Sequence, residues 1–295
     1  MTTESKQPLV SIICVCYNHE RFVKDALLSA VNNTYKNKEI IVVDDHSSDK
    51  SVEIIKEFIK DHPGIGFIQM PANKGNCAAF NAGFRKSKGD FLIDFAADDI
   101  LPADCLQNSI DAFRARDSSY GVLYGDVLYI TEDGRHLHKH SEKFPPAAMP
   151  EGDIYIDLIK KYFVSSASMT IRRSVLEKLN GYDESLAYED FDFWIRSSRE
   201  FKYFYSNTVQ IFKRMVKGSM SDTQFERGNP QQLTTYRVCE KILDLNRTTE
   251  EDEALSQRIK YELKKSLLRF DFSLARKYRE LQKDLLNKVS RAAYK

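Results

Sequence analysis

Short apolar runs and amphipathic segments alternate along the first part of the chain. Residues 9–17 (LVSIICVCY) and 39–43 (EIIVV) are β-prone and apolar throughout, as strands buried on both faces require. Between them, apolar side chains recur at helical spacing over 20–32. The same reasoning predicts strands at 66–70, 90–95, 121–130 and 166–172, and helices at 49–61, 76–87, 103–117, 153–161, 174–179 and 189–200. This alternation predicts an α/β fold with a mostly parallel, Rossmann-like sheet and helices on both faces.

The pattern changes beyond about residue 228, where strand-like runs stop and charged amphipathic helices begin. Helices are predicted over 229–246 and 251–292, with Thr249 as a capping residue between them. We therefore predict two units, an α/β domain over residues 1–228 and a helical extension over 229–295.

The end of this extension is basic. Residues 261–295 carry ten basic side chains against four acidic ones, with large apolar side chains interleaved. This pattern is typical of an amphipathic helix lying on an anionic membrane surface. Packing on the first unit, or homo-oligomer formation through the C-terminal helices, is the alternative.

Composition and charge exclude few classes of protein. The 295 residues are 42% hydrophobic and 29% charged, as in soluble globular proteins. The formal net charge of +1 gives no overall field that favours nucleic acid as a partner. Five cysteines, a polar start and no apolar stretch long enough for a membrane span predict a cytoplasmic location, with the membrane surface as an option.

Acidic pairs follow two of the predicted strands. Asp44-Asp45 comes after the second strand and Asp98-Asp99 after the fourth, while Tyr17 follows the first. Ligands of such sheets bind beyond the carboxyl ends of the strands, so these side chains are expected to be neighbours. Carboxylates there can accept hydrogen bonds from a nucleoside or hold a divalent cation on a diphosphate. Turn formation and helix capping are the alternatives.

Two further groups of residues have candidate chemistry. Glu189-Asp190 opens a predicted helix, where a carboxylate can act as a general base or simply favour the helix dipole. His136, His138 and His140 alternate beside a glycine turn, and we interpret them as a solvated hairpin edge in preference to a metal site.

The order of these motifs resembles the large family 2 of inverting glycosyltransferases. The matching segments, which together cover about residues 8–221, are 10–18, 42–49, 73–75, 81–83, 89–91, 97–99, 181–184 and 189–196. The resemblance implies the GT-A fold and a hexosyl- or N-acetylhexosaminyl-transferase. Its donor is expected to be a nucleotide-sugar of the UDP type, and its acceptor a hydroxyl of a glycan or a lipid-linked molecule in cell-surface polysaccharide synthesis.

The resemblance also implies roles at the nucleotide. Tyr17 would contact the base, and Asp45 would hydrogen-bond it with support from Asp44. Asp98 and Asp99 would hold the ribose and a Mg or Mn ion on the diphosphate.

At the acceptor, the resemblance makes Asp190 the general base, with Glu189 as the less favoured candidate. Asp190 would deprotonate the acceptor hydroxyl opposite the departing nucleoside diphosphate, which inverts the anomeric carbon.

The chain departs from the family pattern where the metal is expected. Ala96 stands at the first acid of the Asp-x-Asp motif, and Val216 stands at the histidine that precedes a Ser-x-Ser stretch, here 219–221. Lys213 or Arg214 would then share the charge of the diphosphate. The losses also support a second hypothesis, a catalytically silent nucleotide-sugar-binding or scaffold protein. A Rossmann dehydrogenase is disfavoured because no G-x-G-x-x-G follows the first strand.

Overall fold

The structure, a computed structural model, describes residues 7–219, 222, 226 and 228–293. Its strands are β1 (Val10–Cys16), β2 (Lys38–Asp44), β3 (Gly66–Gln69), β4 (Phe91–Ala96), β5 (Tyr120–Ile130), β6 (His136–Lys139), β7 (Thr170–Arg172) and β8 (Lys202–Arg214). Its helices are α1 (Val23–Asn32), α2 (Ser51–Asp61), α3 (Asn76–Lys86), α4 (Cys105–Arg114), α5 (His140–Lys143), α6 (Tyr155–Lys160), α7 (Arg173–Leu179), α8 (Asp190–Ser198), α9 (Pro230–Leu245), α10 (Thr249–Leu268) and α11 (Phe272–Ala293).

The described strands form one mixed sheet in the order β3-β2-β1-β4-β7-β5-β6, with β8 paired to β5. Strand β1 pairs in parallel with β2 and β4, and β2 pairs in parallel with β3. Strand β7 runs antiparallel to β4 and β5. The predicted α/β fold with a mostly parallel sheet and helices on both faces is confirmed.

Alternate residues of β1 enter two different hydrophobic cores, as the pleat of a strand requires. Ile13 and Val15 belong to the core beneath α3, α6, α7 and α8, and Ile12 and Cys14 to the core beneath α1, α2 and α4. All seven residues of β1 are buried, which explains why this strand is apolar without alternation.

Helices α9, α10 and α11 pack on the α8 face and share its core. Val238, Ile259 and Tyr278 are buried in the same cluster as Trp194. Arg199 also forms an ion pair with Glu251 over 2.7 Å. The predicted C-terminal helical region is confirmed, and it completes a core of the first unit; the boundary at residue 228 stays a prediction. Every helix among the described residues is too short or too polar to cross a bilayer.

The single helix predicted over 251–292 is wrong, because the chain reverses between α10 and α11. Phe270 takes a left-handed backbone conformation (φ 58°) that no α-helix continues through. The cap of α10 also differs by one residue from the prediction. Thr248, and not Thr249, accepts the Glu251 amide, and Glu251 binds the Thr248 amide in return, which is a capping box.

Strand β8 was not predicted. Its middle, 206–208, is polar, and its pairing with β5 shifts register around Asp126, so its apolar residues do not alternate regularly. In contrast, the strand predicted at 166–172 is shorter than expected, since Ser166–Ser168 forms a single 3-10 turn before β7.

Two of the three alternating histidines lie on an exposed hairpin edge, as the sequence predicts. His136 and His138 are exposed on β6, whereas His140 begins α5 and contacts the Phe163 carbonyl through Nε2 at 2.8 Å. Across the part of the chain that the structure describes, no group of three His, Cys, Asp or Glu residues is arranged to hold a metal ion.

Candidate active site

Strands β1, β2 and β4 end side by side at one edge of the sheet. Cys16 pairs with Asp44, and Val15 pairs with Ala96, so the segments that follow these strands leave the sheet together. Tyr17 lies first after β1, with its side chain 44% exposed and open to a ligand. The edge therefore brings together the strand-end residues that the sequence selected.

Asp44 and Asp45 are buried and bind the loops of this edge. Asp44 accepts hydrogen bonds from the Ser47 amide (2.9 Å) and hydroxyl (2.5 Å), which closes the turn after β2. Asp45 accepts the amides of Lys74 and Gly75, each at 2.8 Å. Burial raises the pKa of Asp45, against the effect of these two hydrogen bonds. Each carboxylate oxygen can accept more than one hydrogen bond, so Asp45 keeps capacity for a base NH while it shapes the loop.

Asp98 and Asp99 follow β4 in a turn that β8 holds in place. Asp99 Oδ1 accepts the Arg214 amide at 2.8 Å, and the Asp98 carbonyl accepts Arg214 Nε at 2.9 Å. The Asp98 carboxylate is partly exposed and lies 3.9 Å from His19 Nε2. Burial, reinforced by Asp98, raises the pKa of Asp99 to about 8, with Lys213 acting in the opposite direction.

These two adjacent carboxylates match the number of ligands that a protein has to supply to a Mg or Mn ion on a diphosphate. Such an ion takes one or two carboxylates and fills its other positions with phosphate oxygens and water. Asp98 offers a partly exposed carboxylate, and Asp99 uses Oδ1 for the Arg214 amide. The rest of the ligands would come from the substrate and solvent.

Lys213 and Arg214 project from opposite faces of β8, as neighbours on a strand do. Arg214 is buried and donates to the carbonyls of Asp98 (2.9 Å) and Glu132 (2.5 Å), so it fixes the backbone of the site. Lys213 lies among acidic groups instead. Burial would lower its pKa, but the neighbouring carboxylates, Asp99 and Asp190 foremost, raise it. Of the two predicted diphosphate residues, Arg214 has a side chain held by backbone carbonyls, and Lys213 has a side chain whose pKa the acids of the site raise.

The first turn of α8 meets β4 in a cluster of three acidic side chains. Glu189 is buried and accepts Asn76 Nδ2 at 2.8 Å. Asp94 Oδ2 accepts the Tyr182 hydroxyl at 3.1 Å. Asp190 Oδ1 is buried and has no hydrogen-bond partner. Asp190 is thus the member of the cluster with an oxygen left for another group.

Burial and mutual repulsion raise the pKa values of the other two members of this cluster. Burial raises the pKa of Glu189 well above its ordinary value, and Asp190 and Asp94 raise it further. Burial also raises the pKa of Asp94 to about 7, with a contribution from Asp190. Adjacent carboxylates in a buried pocket resist ionising together, which adds to the effect of burial on the pKa values of Glu189 and Asp94.

Asp94 is not among the site residues predicted from the sequence. It precedes Ala96 by two residues on β4, so both side chains point to the same face of the sheet. The available signal was an unpaired acid inside an otherwise apolar strand, where an acid is rarely placed without a partner. The loop of the expected Ser-x-Ser stretch is only partly in view, since Met220 and Ser221 lie outside the described residues.

Replacing Asp94 tests this account of the cluster. The folded-state pKa of about 7 lies above the ordinary value of 3.8, so ionisation destabilises the fold. The contribution of Asp94 to stability should fall as the pH rises from about 4 to about 7 and level off above that, and Asp94→Asn lacks this contribution. We expect Asp94→Asn to gain about 1–3 kcal/mol relative to wild type between pH 5 and pH 8 in urea unfolding. Parallel stability curves for the two proteins would contradict the shifted pKa.

Comparison with known proteins agrees with this geometry. The model of the family "Glycosyl transferase family 2" matches residues 11–179, more than half of the chain. An uncharacterized glycosyltransferase of Methanocaldococcus jannaschii is 29% identical over 240 residues, which cover 80% of this chain and 80% of that protein.

Two solved structures show the same fold at low identity. The mannosyltransferase PcManGT from Pyrobaculum calidifontis, in complex with GDP-Man and Mn2+, has a TM-score of 0.64 at 15% identity, covering 98% of this chain and 87% of that one. S. aureus TarS 1–349, in complex with UDP-GlcNAc, has a TM-score of 0.62 at 15% identity, covering 95% and 92%. These neighbours confirm the predicted GT-A fold.

The chain is a glycosyltransferase of the GT-A type and belongs to glycosyltransferase family 2. The resemblance noted from the strand-end acids and the Glu189-Asp190 helix is confirmed at the level of the family.

Proposed function

We propose that this enzyme inverts the anomeric carbon of a UDP-sugar as it transfers the sugar to a hydroxyl of a glycan or lipid-linked acceptor. The observation that carries the proposal is the grouping of Lys213 with three acids of the site: Asp99 accepts the amide of the next residue, Arg214, and the charges of Asp99, Asp190 and Asp98 raise the pKa of Lys213. One cation is therefore close enough to be affected by both the acids assigned to the nucleotide and the acid assigned to the acceptor. The pathway we propose is cell-surface polysaccharide synthesis in the cytoplasm, at the membrane face.

The donor end of the proposed site consists of Tyr17, Asp45 and the Asp98-Asp99 pair. The exposed ring of Tyr17 contacts the base, and the loop at 74–75, fixed by Asp45, forms one wall of the base site. Asp98 and Asp99 would hold a Mg or Mn ion, which when bound offsets the charge that develops on the departing diphosphate. Lys213 contributes a positive charge to the same phosphates.

The acceptor end depends on Asp190. Its unpartnered Oδ1 accepts the proton of the acceptor hydroxyl while the oxygen of that hydroxyl attacks the anomeric carbon. Glu189, held by Asn76 and with its pKa raised by burial, supports the position of Asp190 in the first turn of α8. Attack opposite the leaving diphosphate gives inversion.

The alternative, a catalytically silent nucleotide-sugar-binding protein, is favoured by Ala96 and Val216 alone. A screen of UDP-, GDP- and dTDP-sugars with Mn or Mg, read by calorimetry and by release of the nucleoside diphosphate, separates the two. We expect at least one UDP-sugar to bind about tenfold or more tighter than the GDP- and dTDP-sugars, and we expect the enzyme to turn it over.

Two outcomes of this screen would contradict the proposal. Turnover restricted to GDP- or dTDP-sugars would show that the donor is not a UDP-sugar. The two structural neighbours differ in this respect, since one is in complex with GDP-Man and the other with UDP-GlcNAc. Donor binding without turnover of any sugar, even with glycan acceptors added, would favour the silent protein.

A further inference from the structure

The turn between α10 and α11 comprises residues 267–272, which we call the hairpin tip. The Phe270 amide donates to the Leu267 carbonyl at 3.0 Å, and the Asp271 amide donates to the Ser266 carbonyl at 2.9 Å. Asp271 Oδ1 accepts the Leu274 amide at 3.0 Å, which caps the start of α11. These bonds give the hairpin tip a defined backbone.

The hairpin tip exposes large apolar side chains to solvent. Their exposed fractions are 36% for Leu267, 69% for Leu268, 65% for Phe270 and 66% for Phe272. The two phenyl rings are adjacent, with centroids 6.5 Å apart. Elsewhere on α11 the apolar stripe is already in use, because its members pack into the core: Leu274, Tyr278, Leu281 and Leu285. The apolar face of α11 therefore packs against the protein, whereas the apolar side chains of the hairpin tip stay exposed.

Phe270 is an unusual residue for its backbone. It occupies the position after the cap of α10 with φ 58°, where glycine is the common choice and a bulky side chain is strained. Its ring is largely exposed, so core packing does not explain it. The phenyl group is therefore unfavourable for the isolated chain, both in its conformation and in its exposure to water.

Charge around the hairpin tip points to an anionic surface. Residues 264–277 contain five basic side chains and one acidic one, Asp271, which is the helix cap. Lys264, Arg276 and Lys277 are exposed on the two helices that flank the apolar side chains. Four partly exposed side chains on a convex turn offer less than the about 800 Å² per partner of a standard stable protein interface. A lipid surface needs no such matching area.

We propose that the hairpin tip inserts its leucine and phenylalanine side chains into the headgroup region of an anionic membrane, while the flanking basic side chains lie against lipid phosphates. This inference deepens the membrane-face location in the proposed function. It does not depend on the proposed chemistry, since the hairpin tip contains none of the residues assigned to the sugar or nucleotide. It also differs from a helix lying flat on the membrane, because α11 contributes its first residues and not its length.

Flotation of the full chain with liposomes tests the proposal. Vesicles of phosphatidylcholine alone are compared with vesicles that also contain phosphatidylglycerol. We expect binding to the anionic vesicles only, weakened as salt is raised from about 0.1 M to about 1 M. The triple variant Leu268→Ser, Phe270→Gly, Phe272→Ser should lose at least about tenfold in partition coefficient.

Leu286→Ser is the matched control, because Leu286 is 60% exposed on α11 but about 20 Å along the helix from the hairpin tip. It should bind within about twofold of wild type. Phe270→Gly should bind more weakly and yet melt about 1–3 °C higher, because glycine relieves the backbone strain. That combination excludes misfolding as the cause of lost binding.

Three results would overturn the proposal. The first is equal flotation of wild type and the triple variant, or flotation of neither. The second is a loss for Leu286→Ser as large as that of the triple variant, which would favour a flat α11. The third is a wild-type dimer in sedimentation that the triple variant abolishes, which would assign the hairpin tip to a second copy of the chain.

Discussion

Asp190→Asn is expected to lower turnover by about two to four orders of magnitude while donor affinity stays within about twofold. The amide keeps the shape of the carboxylate but cannot accept the proton of the acceptor hydroxyl. Asp190 has a buried oxygen without a partner, so the substitution breaks no hydrogen bond that this oxygen makes within the protein. Steady-state release of the nucleoside diphosphate and calorimetric titration of the donor measure the two effects separately.

Glu189→Gln is the matched control for that variant. Glu189 is the neighbouring acid at the N-cap of the same helix, it accepts a hydrogen bond from Asn76 Nδ2, and burial raises its pKa. A raised pKa disfavours the ionised form that a general base needs, so we expect less than about a tenfold loss of turnover. If Glu189→Gln abolished transfer and Asp190→Asn retained it, the roles of the two acids would be exchanged.

The position of the site could be predicted from the sequence because it depends on strand order and strand ends. Once 9–17, 39–43 and 90–95 were interpreted as parallel strands, Tyr17, Asp44 and Asp98 had to emerge at one edge of the sheet. The register of β1 with β2 and β4 places them there. No tertiary contact beyond the sheet itself was needed for this step.

The opposite wall of the site could not be predicted in the same way. Lys213 and Arg214 lie on β8, whose polar middle and irregular pairing hide the strand pattern. Which of the two faces the acids depends on a one-residue phase that a shifted register makes unreadable. The resemblance selected both residues, and only the contacts of Arg214 with Asp98 and Glu132 distinguish them.

The C-terminal helices show a different limit of sequence reasoning. The helical pattern runs through 251–292, which contains no glycine or proline to mark an interruption. The chain reverses at Phe270 instead, and phenylalanine rarely takes positive φ, so the turn could not be predicted. The same pattern gave no sign of which apolar side chains are covered. Tyr278 and Leu285 pack in the core, whereas Phe272 and Leu286 do not.

Asp98→Asn is expected to weaken Mn-dependent donor binding by about one to two orders of magnitude. Asp98 has the partly exposed carboxylate of the Asp98-Asp99 pair, and Ala96 offers no third acid to replace it. Because the pair would share a single ion with the diphosphate, loss of one charge removes much of the protein's part of the coordination. Donor titrations with and without Mn, on wild type and variant, give the coupling between ion and donor directly.

Two variants make this prediction specific to the metal. Asp99→Asn removes the neighbouring charge while its side-chain oxygen still accepts the Arg214 amide, so it should also weaken Mn-dependent binding without unfolding the turn. Asp25→Asn removes the same charge from an exposed carboxylate 4.0 Å from Arg214 Nη2 and should leave donor binding unchanged. Donor affinity that is the same with and without Mn in the wild type would refute the metal site, and Lys213 would then be left as the cation at the diphosphate. A fall for Asp25→Asn equal to that for Asp98→Asn would attribute the effect to overall charge and not to coordination.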